Sequence, residues 1–317
     1  MNMAPPPCPR PPFRATPIPR PTPSLHPRGT AALAWRALAA ASALLAVTGC
    51  PRHLNVARPY RAPTVAELTA TLAERQQAVR SLNARARVTS WMGGERVRAT
   101  VLMLVDRPGR LRLEAEVSLQ GTVAVLATDG ERFAFLDTVK NEMRRGPACP
   151  ANVASLIRIP LAPADVAAVL LGDARLPRIA VAGREPVVDW DPAREADVLA
   201  VPRNDGWLRY LFQRPAGAER STRLIAVDAT GSDGRPRWRV AFEELTDADL
   251  PSATTGQGAT RVALPQTIRF AEGATAFDEG VEIKFKDRAL NEPVADASFV
   301  LAPPPGVTPV EIGCTPY

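Results

Sequence analysis

Histidine is nearly missing from this sequence. Its 317 residues include two, His26 and His53, both ahead of the periodic segments. A Ser-His-Asp triad, a Cys-His pair, an H-E-x-x-H zinc site and a facial triad each need an imidazole in the folded body. Hydrolase and metalloenzyme classes therefore lose their usual machinery, and neither a metal nor a cofactor is expected. Aromatic residues are also scarce, at 5%. No uninterrupted apolar run reaches the 18 residues of a membrane span. Acidic residues are absent from the first 50 positions, which hold five arginines. The rest of the chain carries 34 basic against 33 acidic residues, so the formal net charge of +6 belongs to the leader. A body so close to neutral shows no nucleic-acid footprint. With 46% apolar and 23% charged residues, wholesale disorder is excluded.

Residues 1–30 hold 11 prolines and no apolar periodicity, so they cannot form a core. A short apolar run, Ala37 to Thr48, follows Arg28 and Arg36. Twelve residues span roughly 18 Å as a helix, too short for a bilayer core of about 30 Å. A basic flank ahead of such a run reads as a secretory signal peptide. The run ends in Val47-Thr48-Gly49-Cys50, which resembles the bacterial lipobox: a branched apolar residue, two small residues, then the cysteine that is acylated. Residues 1–49 are thus expected to be leader and lipoprotein signal peptide. Cys50 is the expected lipidation site, and 50–63 the tether. The competing reading of Cys50 is a buried thiol ending a core helix. Pro51, not Asp, follows Cys50, which in enteric bacteria favours the outer membrane. Cys149 and Cys314 remain in the exported body, where disulfides persist. A bond between them is expected to tether the C-terminal tail, against the alternative of two free thiols.

Residues 64–317 read as one domain. Thr64 with Glu67 is a capping box, and Val65, Leu68, Leu72, Val79 and Leu82 predict a helix running to about residue 82. The period then falls to two. Strands are expected at about 84–90, 97–105, 110–117, 122–127, 132–137 and 141–145, with a turn at Arg107-Pro108-Gly109. Short helices follow at 151–158 and 163–171. Strands resume at about 178–182, 187–190, 196–201, 206–213, 222–228, 236–244, 266–272, 280–287 and 297–301, with 246–260 a polar loop. The class is α+β: a strongly curved antiparallel sheet or unclosed β-barrel, with an N-terminal helix and short lid helices. Whether the concave face leaves a cavity or is filled stays open at this point.

Three segments resemble one family. Val101 to Arg112, with its strand, Arg107-Pro108 and next strand, resembles the signature of the LolA lipoprotein carriers. Val125 to Phe135, with Asp129-Gly130, is similar to that family's hairpin. Ala297 to Val307, with Phe299 and Pro303-Pro304-Pro305-Gly306-Val307, resembles its C-terminal exit. With a lipobox added, the chain looks more like the outer-membrane receptor LolB than the soluble carrier. The resemblance implies a lidded, unclosed barrel whose hydrophobic cavity takes acyl chains of lipoproteins or phospholipid. It implies no catalysis, a periplasm-facing place at the outer membrane, and transfer from a periplasmic carrier. It also implies a monomer. On the resemblance, Arg107 is the residue that latches the helical lid, or otherwise a solvated turn arginine. Leu119 in Ser118-Leu119-Gln120-Gly121 is the protruding residue that touches the membrane, or otherwise a strand-end core leucine. The competing function is a structural or assembly lipoprotein using the same fold without lipid cargo. An enzyme built on Asp247 and Asp249, or on Glu243 and Glu244, is the third; such carboxylate pairs in a polar loop are ordinarily a solvated face. Gly256-Gln257-Gly258 lacks the third glycine and the lysine of a phosphate-binding loop.

Overall fold

Strand alternation dominates from residue 81 onward, and one sheet results. The computed structural model describes residues 56–92, 95–177, 181–214, 222–250, 259–273 and 280–314. The leader, Cys50 and the first part of the tether lie outside them. Leu54–Tyr317 forms one unit with its own core.

Helix α1 (Val65–Ala78) opens the described fold. Thr64 caps it: its hydroxyl accepts from the Glu67 N–H at 3.2 Å, and the Glu67 carboxylate accepts from the Thr64 N–H at 2.6 Å. This is the expected box, and Glu67's carboxyl is held below its usual range by those bonds and by Arg61. The helix ends at Ala78, sooner than the apolar stripe suggests, because Val79 is extended. Leu82 belongs instead to strand β1, opposite Val105 and Leu290.

The meander runs β1 (Ser81–Met92), β2 (Glu95–Asp106), β3 (Arg110–Val117), β4 (Gly121–Thr128), β5 (Arg132–Asp137) and β6 (Glu142–Pro147). Helices α2 (Pro150–Ile157) and α3 (Pro163–Leu170) interrupt it, each with a proline in the first turn. Then come β7 (Val187–Asp191), β8 (Ala196–Arg203), β9 (Gly206–Gln213), β10 (Arg223–Gly231), β11 (Pro236–Leu250), β12 (Thr260–Glu272), β13 (Val281–Leu290) and β14 (Val310–Glu311). The fourteen strands order as β14-β6-β5-β4-β3-β2-β1-β13-β12-β11-β10-β9-β8-β7. Every pair is antiparallel except β14 with β6. The edges β14 and β7 do not pair, so the sheet is curved and unclosed, as expected.

One face of the sheet holds the main core. Leu68 and Leu72 of α1, Val153 and Ile157 of α2, and Val166, Val169 and Leu170 of α3 pack on Val101, Met103, Leu111, Leu113, Tyr210, Phe212, Ile268 and Phe270. A smaller cluster, Val125, Leu136 and Met143, is covered by Leu301 and Val307.

Three expectations are corrected. Of the loop expected at 246–260, residues 246–250 and 260 are strand and 251–258 lie outside the described residues; β11 and β12 pair in register from Leu245–Pro265 to Leu250–Thr260. Partly buried Leu245, Ala248 and Leu250 pack against the main core there, and that burial outweighs the polar composition. Residues 297–301 are not a strand: Asp296–Phe299 is a 3-10 turn that buries Phe299. The strand expected at 178–182 is absent at 181 and 182, and its first three residues lie outside the described set.

Candidate functional site

One opening under a helix lies where α1 meets β10 and β12. It is a groove of about 440 Å³. Leu72, Phe212, Leu224 and Val262 line its apolar part, and all four belong to the main core. Glu74, Arg75, Arg223, Asp247 and Arg261 stand around it. A second opening of about 360 Å³ continues toward the start of α1, sharing Thr71, Glu74 and Thr222. The arrangement is a polar-rimmed slot with an apolar floor, which suits an amphiphile better than a small polar substrate. Beyond the slot, the described concave face is filled: Tyr210, Ile268 and Phe270 are fully buried.

A buried ionic cluster pins the helices beside this slot. Arg107 follows β2, and its Nη2 donates to Asp173 Oδ2 at 2.8 Å while its Nε donates to the Val79 carbonyl at 2.9 Å. Asp173 lies just past the end of α3 and is fully buried; its second oxygen accepts from the Ala174 N–H at 2.7 Å. Gly109, in the same turn as Arg107, sits against the start of α3: a Cβ there would meet the Ala164 nitrogen at 2.9 Å. The turn therefore grips α3 near both ends. From the other side, Arg75 of α1 donates to the carbonyls of Leu171, Gly172 and Ala263, which caps the C-terminus of α3. Gln76 adds a bond to the Ala174 carbonyl at 3.0 Å. Burial lowers the proton affinity of Arg75, and the Asp173 charge opposes that. Burial likewise pushes the Asp173 carboxyl above its ordinary range, against the pull of Arg107 and Arg75. Arg107 is thus bound to the segment just past α3 and largely withdrawn from solvent.

Leu119 is fully exposed, at φ +74, on the β3–β4 turn. A leucine in the left-handed region has lost both its backbone preference and its burial. Cys149 and Cys314 are disulfide-bonded, with Cα atoms 6.1 Å apart. Three of the four carboxylates weighed as catalytic face cations. Asp247 faces Arg223 at 2.7 Å and Arg261 at 3.5 Å, Glu243 faces Arg269 at 3.0 Å, and Glu244 faces Lys284 at 3.4 Å. No cluster of metal-ligating side chains occurs among the described residues, and no helix there is long and apolar enough to cross a membrane.

A second cluster escaped sequence reasoning. The segment expected to be a free tether is docked on β7 and β8 from Val56 onward. Arg58 Nε meets Asp197 Oδ1 at 2.8 Å, and the Tyr60 hydroxyl donates to Asp197 Oδ2 at 3.1 Å. Trp190 Nε1 donates to the Val56 carbonyl at 2.7 Å, and the Tyr60 ring meets Trp190 edge to face. The Arg214 guanidinium lies 4.2 Å from the Tyr60 ring centroid. Burial and the Asp197 charge push the Tyr60 hydroxyl up to about 12. The one hint in the sequence was Asp197, a charged residue inside the apolar strand Ala196–Val201.

No family model matches the chain, and no curated protein matches it. Solved structures are similar. One is described as an outer membrane lipoprotein-sorting protein domain from Vibrio parahaemolyticus; it is 9% identical with a TM-score of 0.47, over 74% of this chain and 94% of that one. Another is a LolA superfamily protein from Nitrosomonas europaea, 10% identical with a TM-score of 0.46, over 74% and 97%. A third is a DUF1329 family protein from Desulfovibrio piger, 11% identical with a TM-score of 0.41, over 74% and 95%.

Proposed function

We propose that this chain is a lipid-anchored, periplasm-facing protein of the outer membrane that receives acylated lipoproteins or phospholipid from a carrier and passes them to the membrane. The observation that carries this proposal is the slot under α1, whose floor of Leu72, Phe212, Leu224 and Val262 is continuous with the main core. Lifting α1 widens that floor. The helix buries only Leu68, Leu72 and Ala78, and Arg75 and Gln76 of its last turn pin it to the loop after α3. An acyl chain entering the slot gains about 25 cal/mol per Å² of apolar surface removed from water. In this reading no covalent chemistry takes part.

Native mass spectrometry of residues 54–317 with a triacylated lipopeptide tests the slot. A one-to-one adduct is expected. Thr71 lines both openings and is half-buried, so Thr71→Trp fills the slot from its wall. That variant is expected to lose the adduct while its melting temperature stays near the parent's, because a change at the rim alters stability by about 0.5 kcal/mol or less. An adduct retained by Thr71→Trp would place the lipid elsewhere.

The anchor has its own test. Radiolabelled palmitate supplied to cells is expected to label the parent, and Cys50→Ser is expected to remain unlabelled. A labelled Cys50→Ser chain would remove the lipobox from the proposal.

One observation favours the competing reading of a structural or assembly lipoprotein: outside the slot, the described concave face is filled by fully buried Tyr210, Ile268 and Phe270. No adduct from parent protein at saturating lipopeptide would decide for it.

A further inference from the structure

The sheet parts between β10 and β11, and the slot beside α1 lies along the parting. The ladder between the two strands runs from Thr230–Pro236 to Ala226–Ala241 and stops there. Beyond that rung β10 continues to Arg223 against β9 alone, and β11 continues to Leu250 against β12 alone. Both strands are irregular just past the last shared rung. Strand β10 skips Ile225 in its register with β9. Strand β11 carries Glu244 at φ +54, unpaired between the rungs Glu243–Thr267 and Leu245–Pro265. A bulge bends and twists the strand that carries it, so these two irregularities turn β10 and β11 apart.

The parting is open from both faces. Leu224 lines the slot and belongs to the main core. The next residue, Ile225, lines a second opening of about 550 Å³ and packs with the separate cluster of Ala196, Val198, Leu211 and Ala226. Arg223 borders both openings and reaches across to Asp247 of β11 at 2.7 Å. Its Nε is buried without an acceptor among the described residues, an unused donor in the gap. From Phe242 to Leu250, over roughly 30 Å, the side of β11 away from β12 pairs with no strand among the described residues. Thr246, Asp247 and Asp249 are exposed there. Backbone N–H and C=O groups alternate along such an edge, and each has a hydrogen bond to make.

We propose that this edge of β11 binds an extended peptide, which adds to the sheet as a strand in the gap. The occupant is the unfolded stretch that follows the acylated cysteine of a lipoprotein. The chemistry of the edge selects a peptide. A row of alternating backbone donors and acceptors pairs with another extended backbone whatever its side chains are, and a phospholipid has no such row to offer. The position of the edge selects an acylated peptide. Asp247 of β11 lines the same opening as Leu72, Leu224 and Val262, so one molecule reaches the apolar floor with its acyl chain and the edge with its backbone. A second copy of this chain fits less well. Thr71, Glu74 and Arg75 of α1 border the gap, which admits a single chain more readily than the edge of another folded sheet. The inference rests on the proposed reading of the slot for the acylated end, and it selects lipoprotein over bare phospholipid as the cargo.

The test alters the ligand and leaves the protein intact. Residues 54–317 are titrated with a triacylated cysteine carrying a hexapeptide, long enough to run beside Leu245–Leu250. Three relatives are titrated in parallel: the triacylated cysteine amide without peptide, and two hexapeptide forms N-methylated at alternate residues in the two possible phases. Successive N–H groups of a strand point to opposite sides, so one phase removes the donors that face β11. At least one N-methylated form is expected to bind about 25-fold more weakly than the parent lipopeptide, with each of two lost backbone bonds counting about fivefold. The peptide-free amide is expected to be weaker on the order of tenfold or more. Amide exchange within Leu245–Leu250 is expected to slow on binding the parent lipopeptide and not the weakened form. Equal binding of all four compounds overturns the edge and leaves the slot standing. Peptide-dependent affinity with unchanged exchange in Leu245–Leu250 also overturns it, by placing the peptide elsewhere. No binding by any of the four removes the slot reading together with the edge.

Discussion

Asp173→Ala is expected to destabilise the body by about 3–5 kcal/mol, the cost of removing one partner from a buried ion pair. At roughly 2–4 °C per kcal/mol for a chain of this size, the melting temperature falls by about 10 °C. The effect is large because the aspartate is fully buried and because of what it leaves behind. Arg107 keeps only the Val79 carbonyl, the Ala174 N–H loses its acceptor, and the nearby charge of Arg75 loses its opposite sign. Arg107→Ala is expected to cost less, since its side chain is 18% exposed and Asp173 retains Arg75 and the Ala174 N–H. The double variant is expected to be more stable than the two single costs added together, with a coupling above about 1 kcal/mol. Additive costs would show that the 2.8 Å contact carries no energy of its own.

The same carboxyl gives the body a pH signature. Burial holds it above its ordinary range, while in the unfolded chain it titrates near about 3.9. The folded chain therefore keeps this proton to higher pH than the unfolded chain does. The stability it contributes is fully present below about pH 4 and is lost as pH rises toward the folded value. Asp173→Asn cannot titrate. Urea unfolding of parent and Asp173→Asn is thus expected to show the parent losing ground to the variant as pH rises through that window, then a constant difference above it. A parent that gained on the variant would show that the two arginines outweigh burial at this site.

Local chemistry made much of this fold readable. Thr64 with Glu67 marked the start of α1. Arg107-Pro108-Gly109 marked a turn, and the alternation of Arg110–Val117 marked a strand with one buried face. These signals act over a few residues, so composition and spacing contain them. The extension of β11 and β12 was hidden because Thr246, Asp247 and Asp249 are polar, and only the cross-strand register to Val262–Pro265 explains why they are strand. The two ionic clusters were hidden for the same reason. Arg107 and Asp173 are 66 residues apart, and Tyr60 and Asp197 are 137 apart. A charged residue in an apolar stretch signals a partner but never says which one. Asp173, directly after Leu170-Leu171-Gly172, and Asp197, inside β8, were both such signals. Leu119 is the opposite case. Its neighbours Ser118, Gln120 and Gly121 predicted a turn, and a turn leaves a leucine nowhere to go but outward.

Replacing both Cys149 and Cys314 by serine is expected to cost up to about 5 kcal/mol, the chain-entropy value for a loop of this length. The residues are 165 apart in sequence, and eight of the sheet's fourteen strands, β7–β14, lie between them. What the bond holds is weak without it. Strand β14 has two residues, paired with Arg144 and Arg145 of β6, followed by one bond from the Ile312 N–H to the Arg145 carbonyl at 2.8 Å. A strand that short is marginal by itself. It also sits tightly: a Cβ on Gly146 would meet the Ile312 carbonyl oxygen at 2.1 Å, so the tail fits only against a glycine. Upstream, Leu301 and Val307 cover Val125, Leu136 and Met143, which become accessible when the tail leaves. Two measurements separate the consequences. Urea unfolding reports the global loss, and amide exchange is expected to quicken first at Val307, Val310 and Ile312 while the β1–β2 ladder stays protected. If the serine variant keeps the parent's stability within about 1 kcal/mol and its tail amides stay slow, packing on Gly146 and the small cluster holds the tail by itself. If both change together, the disulfide is the clasp that closes the β6 edge of an otherwise open barrel. That edge matters in an unclosed sheet, because an uncovered strand is a template for another chain.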